Sequence, residues 1–272
     1  MSIRSLLFVP GARPERFDKA MAAGADRVCI DLEDAVPPDQ KAAARAATLD
    51  WLAAQPPSAA VGVRINGLGT VEGLRDLVAL AESEARPALL MLPKTGHAEE
   101  IRIVRSVLGD AAPPLWPIVE SAGALRAAWD IAAAPGVQGV LFGGADYSAD
   151  LGVTLDWEPL FLARSTLAAA CANAGIELLE VPHIDVKDEA GLDAGTRRVK
   201  ALGFSGRACI HPSQVATVNQ VFSPTEAEIA QARRVLEAFD AAGGAAALLD
   251  GKLIEAPVIR SAQRVLARAP LA

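Results

Sequence analysis

Aromatic residues are scarce in this 272-residue chain: one Tyr, four Trp and seven Phe make up 4% of it, against 51% hydrophobic residues in all. The core must therefore be built mainly from aliphatic side chains, packed between helices and a sheet. Histidine is nearly absent too. His97, His183 and His211 lie far apart, and no HExxH is present, which counts against a zinc enzyme. Cys29, Cys171 and Cys209 follow no metal-binding or redox spacing, and an odd number is a poor disulfide framework, so a reducing cytoplasm is expected. There is no GxSxG elbow to expose a serine nucleophile. There is no GxGxxG either: the turn after the first apolar run, GARPER, has a single glycine, which disfavours an open Rossmann-like sheet. No apolar run approaches a membrane span, and the opening MSIRSLLFVPG lacks a signal-peptide apolar segment, so a soluble protein is expected. Basic charge is in deficit, with 26 Lys+Arg against 33 Asp+Glu for a net −7. That argues against general nucleic-acid binding, although a local basic cluster can still hold a phosphate.

What the chain does have is a regular alternation of short apolar runs and helical stretches. Ser5–Val9 is a strand stopped by Pro10 and Gly11, and Pro14 then suits the first turn of a helix running to about Ala23. The cycle repeats with strands at 27–30, 61–65, 89–92, a run ending at Glu120, a run ending at Gly143, 176–181 and 208–210. Helices are expected up to about Ala54 and near 71–82, 98–108, 122–133, 158–174 and 189–202. Eight such units with short connections, near the usual length of one domain of this kind, predict a closed parallel (β/α)8 TIM barrel over residues 1–222. Residues 223–272 are expected to form a C-terminal helical extension, with helices at 224–241 and 256–269 split by Gly243 and Gly244. This extension would cap a face of the barrel or reach a neighbouring subunit.

In such a barrel the ligand site lies at the C-terminal ends of the strands, where the polar residues closing each apolar run converge. Here these are Arg13 and Arg16, then Asp31 with Glu33 and Asp34, Arg64 with Asn66, Lys94, Glu120, Asp146 and His211. Any one of them, alone, reads equally as a solvated strand end or helix cap. Glu120 (LWPIVES) and Asp146 (VLFGGADYSADLG) are expected on neighbouring strand ends. Gly143 and Gly144 leave room beside them, a hard-oxygen pair suited to an incompletely coordinated Mg2+. Arg64 offers a planar fork for a carboxylate or carbonyl oxygen, its structural alternative being a salt bridge to Glu33 or Asp34. Arg13, Arg16 and Lys19 form a basic patch at the first helix, a place for phosphate or simply a solvated face. Ser121 and Ser148 have no evident His base and are read as helix-cap or supporting residues. His211 is read as a fold-supporting residue near the barrel mouth.

With those residues placed, the chain resembles, nearly end to end, the citrate lyase β-subunit-like branch of the HpcH/HpaI aldolase and citrate lyase superfamily. The resemblance is carried by LLFVPGARPERFDKA at Leu6, DLEDAV at Asp31, VRIN at Val63, LPKT at Leu92, PIVES at Pro117, FGGADYSADLG at Phe142, IHPSQV at Ile210, FSPTEAEIAQARRV at Phe222 and DGKLIEAP at Asp250. It implies a Mg2+-dependent barrel enzyme, with Mn2+ able to substitute, acting on a carbon–carbon bond next to an acyl thioester as a homotrimer or homohexamer. It makes Glu120 and Asp146 metal ligands, and Glu120 also a substrate contact. Arg64 becomes the binder of substrate oxygens, and Arg13, Arg16 and Lys19 become contacts for coenzyme A. Relatives often carry Glu-Asp-Tyr where this chain has Ala145, Asp146 and Tyr147. Many also have Asp in the C-terminal motif that here reads LIEAP, an acid thought to enter the adjacent subunit's site; Glu255 keeps the carboxylate on a longer arm.

The reading that follows is a carbon–carbon lyase cleaving or condensing a 3-hydroxyacyl-CoA of the malyl-CoA, citryl-CoA or hydroxymethylglutaryl-CoA type. Arg64, Glu33 and Glu255 carry the chemistry, with Glu255 from a neighbour as the first acid–base candidate and Glu33 as the alternative. One rival is a β subunit of a multi-protein citrate lyase that takes its acyl group from a carrier protein. Another is a non-catalytic, metabolite-binding barrel. A third, the coenzyme A-independent 2-oxo-acid aldolase, resembles its own branch in an acid-His pair after the second strand; Asp31-Leu32-Glu33-Asp34 has no His there.

Overall fold

The computed structural model describes residues 2–56 and 58–269. The chain divides into two compact units, one spanning Ile3–Asn219 and the other taking in residues 220–269. In the first, eight parallel strands close into a barrel in sequence order: β1 Ser5–Pro10, β2 Arg27–Asp31, β3 Val61–Arg64, β4 Leu89–Leu92, β5 Leu115–Val119, β6 Gly139–Phe142, β7 Glu177–Glu180 and β8 Gly206–Cys209, with β8 pairing back to β1. Helices α1 Phe17–Met21, α2 Lys41–Ala53, α3 Val71–Glu82, α4 Ala98–Leu108, α5 Ala122–Arg126, α6 Ala128–Ala132, α7 Gly144–Leu151, α8 Trp157–Ala174, α9 Glu189–Leu202 and α10 Ser213–Phe222 follow the strands. The TIM barrel expected from the alternation is present. Among the described residues no helix is long and apolar enough to cross a membrane.

Because strand side chains alternate in direction, every second residue of each strand faces the barrel interior. Leu6 and Phe8, Cys29, Leu89 and Met91, Trp116 and Ile118, Leu141, Leu179 and Ala208 make one packed cluster on that face. The few large side chains are accommodated by glycines. A Cβ on Gly139 would lie 2.3 Å from the Trp116 ring, and one on Gly62 would lie 2.5 Å from Leu89. This large-against-small filling packs the aromatic-poor core. The same alternation carried one step beyond the cluster places Asp31, Arg64, Glu120, Gly143, Val181 and Ile210 at its C-terminal rim.

Several element boundaries differ from expectation. The helix expected over 14–23 is a 3-10 turn at Pro14–Arg16 followed by α1, and the stretch 122–133 breaks at Ala127 into α5 and α6. The acidic stretch after β6 is a helix, α7, so Asp146 sits in the first turn of a helix and not at a strand end. Ser121 caps α5 by accepting the Ala124 N–H at 3.1 Å, as expected. Ser148 caps nothing; its hydroxyl donates to the Ala145 carbonyl.

The second unit contains helix α11 Glu226–Ala241, a hairpin of β9 Ala247–Leu249 and β10 Lys252–Ile254, and helix α12 Ala256–Ala267. Its own core is Ala232, Val235, Ile254, Ile259 and Ala262. The hairpin was not expected, although its turn is the dipeptide Asp250-Gly251. Both residues have positive φ, 50° and 75°, the conformation a two-residue hairpin turn requires.

One buried cluster ties the helical layer to the rim of β3. Asp76 on α3 accepts from Arg45 Nε at 2.5 Å and from the Asn66 amide nitrogens, main chain at 2.8 Å and side chain at 2.6 Å. Asp76→Ala leaves the buried Arg45 short of a carboxylate and Asn66 without its acceptor. It should cost about 3–5 kcal/mol in urea unfolding, whereas a loss under 1 kcal/mol would show that Glu72 alone suffices for Arg45.

Candidate active site

The rim of the barrel opens into a cavity of about 500 Å3, lined among others by Asp31, Asp34, Arg64, Glu120, Gly143 and Asp146. Its geometry starts from strand register. Asp31 and Arg64 are Cα partners at the ends of β2 and β3, so their side chains meet as a two-pronged pair, Nε to Oδ1 at 2.7 Å and Nη2 to Oδ2 at 2.5 Å. Arg64 Nη1 lies 3.1 Å from Glu33 Oε2 and 3.8 Å from Asp34, and the guanidinium covers the Phe8 ring at 4.9 Å. Burial works against the charge, but the bonds and charges of Asp31, Glu33 and Asp34 outweigh it and hold the proton more firmly than usual. The expected acidic-loop salt bridge is therefore present, with Asp31 as its principal partner. The signal for Asp31 was available: two polar residues closing adjacent parallel strands stand side by side.

Lys94 joins the two halves of the site, a role sequence reasoning did not assign it. It follows β4 with φ 54°, a left-handed conformation rare for a side chain other than Gly or Asn. Its main-chain N–H donates to Glu120 Oε1 at 2.5 Å. Its ammonium donates to Glu33 and lies 3.5 Å from Asp34 and 3.8 Å from Asp146. Burial opposes the Lys94 charge, yet Glu33, Asp34 and Glu120 raise its proton affinity overall.

Five carboxylates thus face two cations. Burial, the largest influence, keeps the Glu33 carboxyl above its ordinary range against the pull of Arg64 and Lys94. Glu120 is pushed up to about 8, first by burial and further by the charges of Glu33 and Asp146. This surplus of negative charge suits a divalent cation. Gly143 supplies the space: a Cβ there would fall 2.5 Å from Glu120 Cβ and 2.8 Å from its Oε2. Among the described residues no three His, Cys, Asp or Glu side chains form a metal-holding group. Two oxygen donors with the remaining positions open to water and substrate suit Mg2+ better than a closed transition-metal site.

Of the other residues expected at the site, Arg16 and Lys19 line a second groove with Pro10, Ile210, His211 and Pro212. Arg13 is outside that lining and pairs with Glu15 at 3.0 Å. His211 is exposed, its Nδ1 2.8 Å from the Ser213 hydroxyl, in keeping with a supporting role. Glu255 belongs to the second unit, exposed at the position preceding α12, with its side chain making no capping bond.

A model of the HpcH/HpaI aldolase/citrate lyase family matches residues 4–212. The chain belongs to that family. A second model, for carbon–carbon bond lyases of the TIM-barrel fold, matches residues 176–271, and the chain is an enzyme of the carbon–carbon lyase class. An L-malyl-CoA/beta-methylmalyl-CoA lyase of Cereibacter sphaeroides is 35% identical over 306 residues, 98% of this chain and 95% of the relative. A (3S)-malyl-CoA thioesterase of the same species is also 35% identical, over 98% of this chain and 94% of its own length. Among solved structures, CitE from Mycobacterium tuberculosis in complex with magnesium, acetoacetate and coenzyme A is 36% identical with a TM-score of 0.85, covering 98% of both chains.

The Glu120 carboxyl sets a pH dependence. In the metal-free fold it keeps its proton up to about pH 8, whereas the unfolded chain releases it near the ordinary value of about 4.3. The folded state therefore binds the proton more tightly, and that stability is present at low pH and lost as pH rises toward 8. Urea unfolding of metal-free protein should show stability falling between pH 5 and 8, and Glu120→Gln should flatten the slope. An unchanged slope in the variant would assign it elsewhere.

Proposed function

We propose that this chain is a Mg2+-dependent lyase that cleaves or forms the carbon–carbon bond of a 3-hydroxyacyl-CoA of the malyl-CoA, citryl-CoA or hydroxymethylglutaryl-CoA type. The observation that carries the reading is the meeting of Arg64, Glu120 and Asp146 on one cavity with surplus negative charge. Membership in the family, and relatives whose names and complexes include malyl-CoA, magnesium and coenzyme A, support it.

Glu120 and Asp146 would hold the cation, which when bound polarises the oxygens of the 2-hydroxy or 2-oxo acid portion. Arg64, kept planar and oriented by Asp31, presents its outer edge to those oxygens and stabilises the negative charge that develops there. In cleavage a base removes the hydroxyl proton, and the carbon–oxygen double bond of the oxo acid forms. The electrons of the broken carbon–carbon bond pass into the thioester as an enolate, and an acid then protonates its carbon. Glu255 from a neighbouring subunit is the first candidate for these transfers, which makes a homotrimer or homohexamer the working unit. Glu33 is the alternative. Its Oε1 is taken by Lys94 and its buried Oε2 lies 3.1 Å from Arg64 Nη1, so it also serves to align Arg64 and Lys94. Arg16 and Lys19 along the second groove, with Arg13 near them in sequence, would meet the phosphates of coenzyme A. Residues 1–222 are the catalytic barrel and 223–272 the extension that completes a neighbour's site. Three free, buried cysteines support a cytoplasmic setting.

Purified protein with Mg2+ and a panel of acyl-CoA esters tests the reading. A carbonyl product, glyoxylate, pyruvate, oxaloacetate or acetoacetate, should appear in step with a shortened acyl-CoA and without free thiol. Release of thiol and hydroxy acid alone would instead place the chain with thioesterases. Turnover only in the presence of an acyl carrier protein would favour the citrate lyase subunit reading, and no turnover with either substrate form would favour a binding barrel. Asp146→Ala should abolish Mg2+-dependent turnover with its thermal transition retained. Arg64→Lys should lose at least about 100-fold in kcat/KM, since an ammonium lacks the planar fork. Near-normal kcat/KM in Arg64→Lys would reduce Arg64 to a structural part.

The neighbour's contribution has its own test. Glu255→Gln and Arg64→Ala proteins, each inactive alone, should regain activity when mixed under subunit-exchange conditions, because a mixed oligomer unites one intact barrel with one intact tail. No recovery despite verified exchange would place the complete site within one chain or reduce Glu255 to a surface acid.

A further inference from the structure

The two cations beside the proposed metal ligands are held in different ways. Arg64 is fixed: Asp31 grips its Nε and Nη2, and its side chain is only 14% exposed. Lys94 is not. Its side chain is 50% exposed, and its ammonium rests among three acids, donating to Glu33 and standing 3.5 Å from Asp34 and 3.8 Å from Asp146. A flexible stem carrying a compact, strongly hydrated charge can leave such a place for solvent, whereas a guanidinium locked in a two-pronged pair cannot.

Asp146 therefore has two claims on it. It is one of the pair read as holding Mg2+, and its Oδ2 is the oxygen that Lys94 approaches. A divalent ion about 2.1 Å from that oxygen would lie within about 6 Å of the ammonium, close enough for their repulsion to count even where a protein surface screens it. Glu120, the other member of the pair, is reached differently. It accepts the Lys94 main-chain N–H at 2.5 Å, a bond that any residue except proline at position 94 can give. Backbone and side chain of one residue thus act in opposite senses on the pair: the first orients one carboxylate, and the second competes for the other.

We propose that Lys94 is a positioning residue whose ammonium is a movable counter-ion. It balances Glu33, Asp34 and Asp146 when no divalent cation is bound, competes with that cation for Asp146, and swings toward solvent as the cation binds. Its charge holds the metal affinity below what the carboxylates would give without it, so that the cation exchanges instead of locking in place. The inference rests on the reading of Glu120 and Asp146 as metal ligands and adds to it the group that limits their affinity.

Isothermal titration of the full-length protein with MgCl2 at low ionic strength reads that affinity without turnover. Lys94→Met keeps the stem and the main-chain N–H and removes the charge; it should bind Mg2+ at least about tenfold more tightly than the unaltered protein. Lys94→Arg, which keeps the charge, should not tighten it. A lysine that only held the site together would give the opposite sign, so unchanged or weaker binding in Lys94→Met overturns the proposal. A second measurement needs no variant and decides alone should Lys94→Met fail to fold. Acylation by an N-hydroxysuccinimide ester, followed by peptide mass spectrometry, should speed up at least about threefold at Lys94 when Mg2+ is added, because an amine released from carboxylates loses its proton more readily. The exposed Lys252 is the internal reference, and a Lys94 rate that Mg2+ leaves unchanged or slows overturns the proposal as well. Mg2+ binding that Asp146→Ala retains, or none in the unaltered protein, removes the ligand assignment and this inference with it. Binding lost in Asp146→Ala but not tightened in Lys94→Met removes the inference alone.

Discussion

Two strands that end level with one another determine how the site is built. Because Asp31 and Arg64 are register partners, their pairing needs no loop to bring it about, and it is as rigid as the barrel wall. The same carboxylate accepts the main-chain N–H groups of Glu33 at 2.8 Å and Ala35 at 3.1 Å. Lys41 closes the loop from below by donating to the carbonyls of Leu32 and Glu33. One side chain thus sets both the plane of the guanidinium and the path of the acidic loop facing it.

On the far side of the cavity, order comes from Lys94. Its main chain holds Glu120, and its side chain spans from the β2 loop to Asp146 on α7. A left-handed conformation costs a lysine about 1–2 kcal/mol, and the contacts it permits explain why the fold keeps it. Electrostatics here runs against stability: carboxylates crowd where a proton on Glu120 or a further positive charge relieves them. Sites of that kind are prepared for a ligand at the expense of the empty state.

Much of this was legible in the residues because strand ends are legible. Short apolar runs closed by a polar residue, Pro or Gly marked most of the barrel strands, and Arg64, Glu120 and Lys94 were placed at the rim from that pattern alone. The helix after β6 was missed because Gly143-Gly144 reads as a break, when Gly143 makes room for Glu120 and Gly144 begins α7. The C-terminal hairpin was missed because its strands are three residues long, although Asp250-Gly251 signalled the turn. Asp31 as the principal partner of Arg64, and the spanning role of Lys94, depend on register and on a backbone dihedral, neither of which composition or periodicity reports.

Gly143 deserves to be seen as a position where chemistry depends on a missing atom. The Glu120 carboxylate occupies the volume that any side chain at 143 would claim. The methyl group of an alanine would meet Glu120 Cβ at 2.5 Å and Ile118 Cγ2 at 2.9 Å, atoms close to the β5 backbone, so turning the carboxylate aside would not be enough to admit it. The ends of β5 and β6 can therefore lie this close only while position 143 carries no side chain, and the placing of the Glu120 carboxyl at the rim is written into the chain one strand away from Glu120 itself.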